Sequence, residues 1–180
     1  MNMIKKYNWP VWANEIVEVV PYDSKWPQIA MKFIAELNSV KTGCLLSQIE
    51  HIGSTSVEGL SAKPIIDIMA EVENFDKLDL IVTLLLDQEW HFVPVELDQR
   101  PYRRFFVKVQ NNKRVAHLHL MRPNTKKWDE QLLFRNKLRE SSHLVEEYTL
   151  LKLSLATAHG NDRESYTHAK TKFITEVLSS

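Results

Sequence analysis

His51-Ile-Gly-Ser-Thr-Ser-Val-Glu-Gly-Leu-Ser-Ala-Lys-Pro-Ile-Ile-Asp67 is the stretch that decides how this chain folds and where its chemistry sits. The run from Cys44 to Ile52 leads into a turn of small residues. A second run, Pro64 to Val72, opens with β-branched side chains, so the pattern predicts strand, turn, strand. Gly53 lets the backbone approach a ligand closely. Free N–H groups in such a turn can hold an anion, and the hydroxyls of Ser54, Thr55 and Ser56 add donors. Asp67 can carry a magnesium ion that bridges to bound phosphates. The plain alternative is a polar turn followed by a strand-start aspartate.

Upstream, Glu15 to Val20 reads as a short strand stopped by Pro21. Asp23 or Ser24 caps a helix with Pro27 in its first turn. Ile29, Phe33, Ile34 and Leu37 recur on one face of that helix, and Gly43 ends it. Downstream, Asp76 to Asp87 is helical, with Leu78, Ile81, Val82 and Leu85 on a stripe. His91–Val95, Tyr102–Val109 and Arg114–Met121 read as strands, the last two joined by an Asn111-Asn112 turn. After Pro123 strand signals vanish. Three helical stretches follow, Lys127–Arg139, His143–His159 and Asp162–Leu178, with Gly160-Asn161 between the last two and Asp162 as cap. Strands with helices first and helices alone afterwards form an α+β or α/β pattern.

The 180 residues carry 23 Lys+Arg and 23 Asp+Glu, a formal net charge of +0, so no global field draws nucleic acid or an anionic membrane. A nucleic-acid partner is not expected. The single cysteine, Cys44, can form no intrachain disulfide and reads as a small buried hydrophobe. Residues 1–14 form a leader carrying Trp9 and Trp12. Polar residues interrupt it, no secretory h-region follows Lys5 and Lys6, and no apolar run nears the ~20 residues of a membrane span, so a cytoplasmic location is expected. Trp26, Trp90 and Trp128 sit at element boundaries and are expected to fill the core edge.

Two further clusters stand out. His117 and His119 alternate onto one strand face, a spacing that binds transition metals. The alternative is one histidine packed and the other half exposed. In the helical part, Arg135 and Arg139, Tyr148 and Lys152, and Tyr166 and Lys170 are each four apart and share helix faces. Together they could converge on a phosphate or nucleobase, with Lys63 and the Tyr102-Arg103-Arg104 segment adding cations from the sheet. A solvated basic face with tyrosines packing the bundle is the alternative. His51 precedes the turn and is expected to point toward the same cleft.

Gly53-Ser54, twelve intervening residues and Asp67 in an apolar strand resemble the nucleotidyltransferase signature. That signature is Gly-Ser, a short helical turn, then a strand with two acids one residue apart. More closely, the chain resembles the GrpB family. The pieces are Val20-Pro-Tyr-Asp23 with Trp26-Pro27, His51 to Val57 with Gly59-Leu60, Ala62 to Ile68, His117-Leu-His119 and Phe134 to Arg139. Tyr148 with Leu151-Lys152, and Tyr166 with Lys170 and Phe173, complete the set. Residues 1–14 lie outside it.

The resemblance implies an α+β, nucleotidyltransferase-like mixed sheet of about five strands, flanking helices and a C-terminal three-helix segment. Residues 15–180 would be one domain, with a sheet core at 15–123 and a helical part at 124–180. It also implies a bound nucleotide or other phosphorylated ligand, and a divalent metal: magnesium, manganese or zinc. The strand bearing His117 and His119 is the one that supplies the third acid of a nucleotidyltransferase site. Asp67 and His119 thus become catalytic candidates, and Asp67, His117 and His119 metal ligands. Gly53, Ser54, Thr55, Ser56, Lys63, Arg104, Arg135, Arg139, Tyr148, Lys152, Tyr166 and Lys170 become phosphate- or nucleotide-binding candidates. Some members of the family are fused to dephospho-CoA kinase, which links it to nucleotide or CoA chemistry.

One departure bears on mechanism. The second acid of the signature falls on Met69, and a thioether is no ligand for a hard cation. Glu71 shares the face ~6–7 Å further along and reads as a solvated end-of-strand charge. The expectation is therefore one-ion binding and poor nucleotidyl transfer. The alternatives are a non-catalytic binding module on a degenerate scaffold, or a metal-dependent hydrolase using His117 and His119.

Overall fold

The structure, a computed structural model, describes residues 18–39, 45–159 and 163–180. The expectations for residues 1–14, Gly43, Cys44, Gly160-Asn161 and Asp162 lie outside these segments.

Helix α1 (Trp26–Ser39) buries Trp26, Ala30, Phe33 and Leu37 at helical spacing. Its first turn is held by Trp26 N–H donating to Asp23 O at 3.0 Å, while Asp23 Oδ1 accepts from Lys25 N at 2.9 Å. Strand β1 (Ser47–Ile52) enters a 3-10 turn at Ser54–Ser56, and β2 is Ile66–Glu71. Helix α2 (Leu78–Leu86), β3 (Trp90–Val93), the short α3 (Val95–Asp98), β4 (Arg103–Gln110) and β5 (Lys113–Met121) follow. The sheet order is β1-β2-β5-β4-β3. Among the described residues only β2 and β5 run parallel; the other pairs are antiparallel. The β4–β5 turn has both asparagines in the left-handed region, Asn111 at φ 50° and Asn112 at φ 58°, as a two-residue hairpin with right-handed strand twist requires. Val20 reaches the domain through an antiparallel bridge to Ala62, with 2.9 Å bonds in both directions.

Alternation divides the sheet. Ile66, Ile68, Ala70, Phe106, Ala116, Leu118 and Leu120 meet α1 and α2 in the main core, with Trp90 buried among them. Lys108 is also buried on that face. Its ammonium donates to Glu36 Oε1 at 2.7 Å and Gln88 O at 2.5 Å, and Trp90 Nε1 donates to the same Glu36 oxygen at 2.8 Å. The opposite face is covered at one end by α4 (Lys126–Glu140), whose Trp128 packs on Ile52, Met69 and Met121.

Helix α5 (Ser142–His159) and the shorter α6 (Arg163–Ala169) and α7 (Thr171–Ser179) complete the chain. The third expected helical stretch is thus two helices. No proline or glycine marks the break at Lys170, which lets α7 fold back on α4, where Lys137 Nζ holds Val177 O at 2.9 Å. Tyr148 stacks flat on Phe173 at 4.8 Å and meets Phe134 edge-on at 5.5 Å. These rings join Val57 and Leu60, so the tail grips the segment after the Gly-Ser turn. Glu71 corrects the sequence reading: it is buried, because β1 and β5 flank it at Ser47 and Met121. Among the described residues no helix is long and apolar enough to cross a membrane.

Glu36→Ala leaves the Lys108 ammonium buried without its carboxylate, so urea unfolding should lose about 3–5 kcal/mol. Adding Lys108→Met to Glu36→Ala should recover a large part of that loss.

Candidate functional site

β2 and β5 lie side by side with Asp67 next to His117 and Met69 next to His119. Neighbouring positions share a sheet face, so all four project away from α1 and α2. The Asp67 carboxylate accepts a hydrogen bond from His117 Nδ1 at 2.9 Å on Oδ1, and His119 Nε2 lies 3.6 Å from the same oxygen. One donor atom from each of the three residues falls within 4.8 Å of the others. Phe105, paired with His119 in β4, packs both imidazoles, with ring centroids 5.1 Å from His117 and 5.3 Å from His119.

A second ionic layer supports this group. Arg103 donates from Nε to Asp98 Oδ2 at 2.9 Å and from Nη2 to Asp98 Oδ1 at 2.6 Å, and its Nη1 donates to His119 Nδ1. The guanidinium also lies 4.2 Å from the Phe105 ring centre. Sequence reasoning does not single out Asp98. It lies in a helix of one turn, too short for a periodic signal, five residues before its partner.

Electrostatics follow from this geometry. Burial alone would raise the Asp67 carboxyl, but the histidine hydrogen bonds outweigh it and hold the group well below the ordinary carboxylate range. Burial, with Arg103 beside it, lowers His119 to about 4, so its imidazole is neutral at pH 7. Burial likewise lowers His51 to about 4.

The Gly-Ser turn meets Asp67 from above. Gly53 has φ 69°, and a Cβ there would lie 2.5 Å from Asp67 Oδ2. Thr55 and Ser56 hold the turn: Thr55 Oγ1 is 3.0 Å from His51 Nε2, and Ser56 Oγ donates to Gly53 O at 2.6 Å. Ser54 is half-buried, and its hydroxyl makes no hydrogen bond among the described residues.

The helical tail contributes cations. Lys152, 2% exposed, donates to Ser61 O and lies 4.6 Å from the Tyr148 ring centre. Lys170 and Lys63 lie 4.6 Å and 4.4 Å from the Tyr166 ring centre. Among the described residues neither Lys152 nor Lys170 forms an ion pair with an acid. Burial, then the nearby Lys170, lowers Lys152 to about 7. Burial lowers Lys170 to about 8, with the Asp67 charge partly opposing it. Burial raises Tyr148, and Tyr166 to about 12. Both Lys170 and Tyr148 thus sense the Asp67 charge.

The arginines are placed differently. Arg135 donates to Glu50 Oε2 at 2.8 Å and His51 O at 2.9 Å, tying α4 to β1. Arg139 donates twice to Ser56 O, at 3.0 and 2.8 Å, and so anchors the Gly-Ser turn. Arg104 alternates to the opposite sheet face, where its guanidinium stacks 4.0 Å from the Phe75 ring centre; its neighbour Arg103 is the one that reaches His119. Met69 is fully buried with Ile52, Met121 and Trp128.

A five-stranded mixed sheet with a Gly-Ser turn over a strand aspartate defines an α+β, nucleotidyltransferase-like fold. The chain belongs to the GrpB family: the family model described as GrpB protein matches residues 16–180. A UPF0157 protein of Pseudomonas aeruginosa is 36% identical over 93% of this chain and 69% of its own length. The crystal structure of the conserved protein GrpB from Enterococcus faecalis superposes with a TM-score of 0.80 at 31% identity, covering 90% of this chain and 95% of that one. A chain of the GLD-2/RNP-8 complex shares the fold alone, with a TM-score of 0.53 at 14% identity over 83% of this chain and 58% of that one.

Gly53→Ala should cost about 1–3 kcal/mol from its backbone alone (φ 69°, ψ −172°, a region essentially confined to glycine), before the clash with Asp67. Denaturant unfolding reads that loss. A neutral result would mean that the turn does not press on the carboxylate.

Proposed function

We infer that this cleft binds a nucleotide or another phosphorylated ligand. The observation that supports this most directly is the pair Lys152, buried, and Lys170, half-buried, each against a tyrosine ring with no acid partner among the described residues, Lys170 within the field of Asp67. Unpaired buried ammonium groups are costly, and a polyanion supplies the missing counter-charge. Ser54 and the turn N–H groups contact phosphate oxygens from the other side. The Asp67 oxygens suit a hard divalent ion, which Asp67 would hold together with phosphate oxygens; such an ion neutralises phosphate charge.

Nucleotidyl transfer by this chain is weak or absent in this reading. Two-metal transfer needs carboxylates that place two cations ~3.5–4 Å apart. Met69 occupies the second acid's position as a core side chain beneath Trp128. That observation favours a binding module on the nucleotidyltransferase scaffold over an active transferase.

The lysines give the reading a pH signature. Well below pH 7 both are protonated in the ligand-free protein. At pH 8 Lys152, near 7, is largely neutral and Lys170, near 8, is half-charged. A polyanion raises both values, so its binding at pH 8 takes up protons. Calorimetry of pyrophosphate binding in buffers of different ionisation enthalpy should show that uptake. Lys152→Met should reduce it and weaken affinity more than about tenfold, the loss of a charge-assisted bond. Absence of pyrophosphate and nucleotide binding by the wild type, with and without manganese, would refute the function.

The ligand-free protein should show the linked effect. Its two lysines have folded values below their unfolded ones, so the unfolded state binds more protons between pH 7 and 9. Stability then rises with pH across that window. Lys152→Met should flatten the rise, measured as urea midpoint against pH.

A further inference from the structure

Asp67, His117 and His119 are close enough to surround one ion, but proton placement in the network opposes that use. The Asp67 carboxylate only accepts, so His117 Nδ1, at 2.9 Å, carries hydrogen. Arg103 only donates, so the His119 Nδ1 that it reaches carries a lone pair. A neutral His119 then bears its hydrogen on Nε2, the nitrogen facing Asp67 Oδ1 at 3.6 Å. Both imidazole nitrogens nearest Asp67 are therefore N–H groups, and neither offers a lone pair to an ion shared with the carboxylate. A histidine that ligates a metal normally donates its other N–H to an acceptor. His119 has a donor in that place, fixed by the two bonds from Arg103 to buried Asp98.

We propose that His117 and His119 are positioning residues for Asp67: His117 donates to Oδ1, His119 turns toward that oxygen an Nε2–H that has no hydrogen-bond partner among the described residues, and Asp98, acting through Arg103, sets His119 in this Nε2–H form. Oδ2, the oxygen beside Gly53, is then the one presented to the turn and to whatever the turn binds. The assignment rests on the reading of this cleft as the ligand site. It makes the site one for a hard cation with phosphate, because a zinc ion sharing Asp67 and both imidazoles would need His119 in the other tautomer.

The deciding experiment reads the tautomers directly. Long-range proton–nitrogen correlation spectra of ligand-free wild type at pH 7 should show His117 as Nδ1–H and His119 as Nε2–H. In Arg103→Gln the amide oxygen can accept from Nδ1, so His119 should move toward Nδ1–H and zinc affinity should rise at least about tenfold. His119→Gln keeps an N–H donor at the Nε2 position, so it should leave manganese affinity within about threefold of wild type. An Nδ1–H His119 in the wild type overturns the proposal. So does an unchanged tautomer in folded Arg103→Gln, or a loss of manganese affinity beyond about tenfold in His119→Gln. Should Arg103→Gln fail to fold with Asp98 left buried, the wild-type spectrum still decides. That spectrum needs no ligand, so missing pyrophosphate binding counts against the functional reading alone.

Discussion

The Gly53 backbone and the Asp67 carboxylate approach so closely that no side chain fits between them, and the cleft is built around that contact. The strand pair β2–β5 fixes Asp67 from below, because parallel register sets His117 beside it. The turn fixes it from above, held by Ser56 on Gly53 O and by the Arg139 guanidinium on Ser56 O. The tail then closes over the turn through Val57, Leu60 and Tyr148. Displacing the turn would therefore move the carboxylate, the Ser54 hydroxyl and the α4 anchor together.

This arrangement uses charge asymmetrically. On the side of the sheet facing α1, the buried cation Lys108 has its acid, Glu36, and serves the fold. On the cleft side Arg103 has Asp98, whereas Lys152 and Lys170 have tyrosine faces and a carbonyl but no acid among the described residues. A buried cation paired with its acid leaves no uncompensated charge; one without an acid raises the free energy of the ligand-free site, and a bound anion would offset that cost. That difference, more than fold likeness, separates the structural cations from those assigned to a ligand. The fold constrains the chemistry in a second way. The position that a two-metal transferase needs for an acid is part of an apolar cluster, so recovering it would mean opening the packing of Trp128 as well as changing Met69.

Much of this was legible in the residues. The Gly53-Ser54 turn, the alternation of Asp67 with apolar neighbours and the His117-Leu118-His119 pattern predict strands and a shared polar face, because period-two patterning is local. The Tyr148/Lys152 and Tyr166/Lys170 pairs were legible for the same reason at helical period. What escaped depends on tertiary partners. Arg104 and Arg103 are adjacent and chemically equal, and only the register of β4 on β5 decides which meets His119. Arg135 and Arg139 have the spacing of a phosphate clamp, yet bond to Glu50, His51 O and Ser56 O, contacts that no local pattern reveals. The break at Lys170 has no glycine or proline to announce it. Asp98 sits in a single helical turn whose sequence carries no period.

The most direct measurement is the anomalous scattering of manganese in crystals grown with pyrophosphate. One manganese peak is expected, bonded to the Asp67 oxygen beside Gly53 and to pyrophosphate oxygens, with the anion on Ser54, Lys152 and Lys170. Two peaks bridged at Asp67, a peak ligated by His119 Nε2, or an anion bound away from both lysines would contradict it.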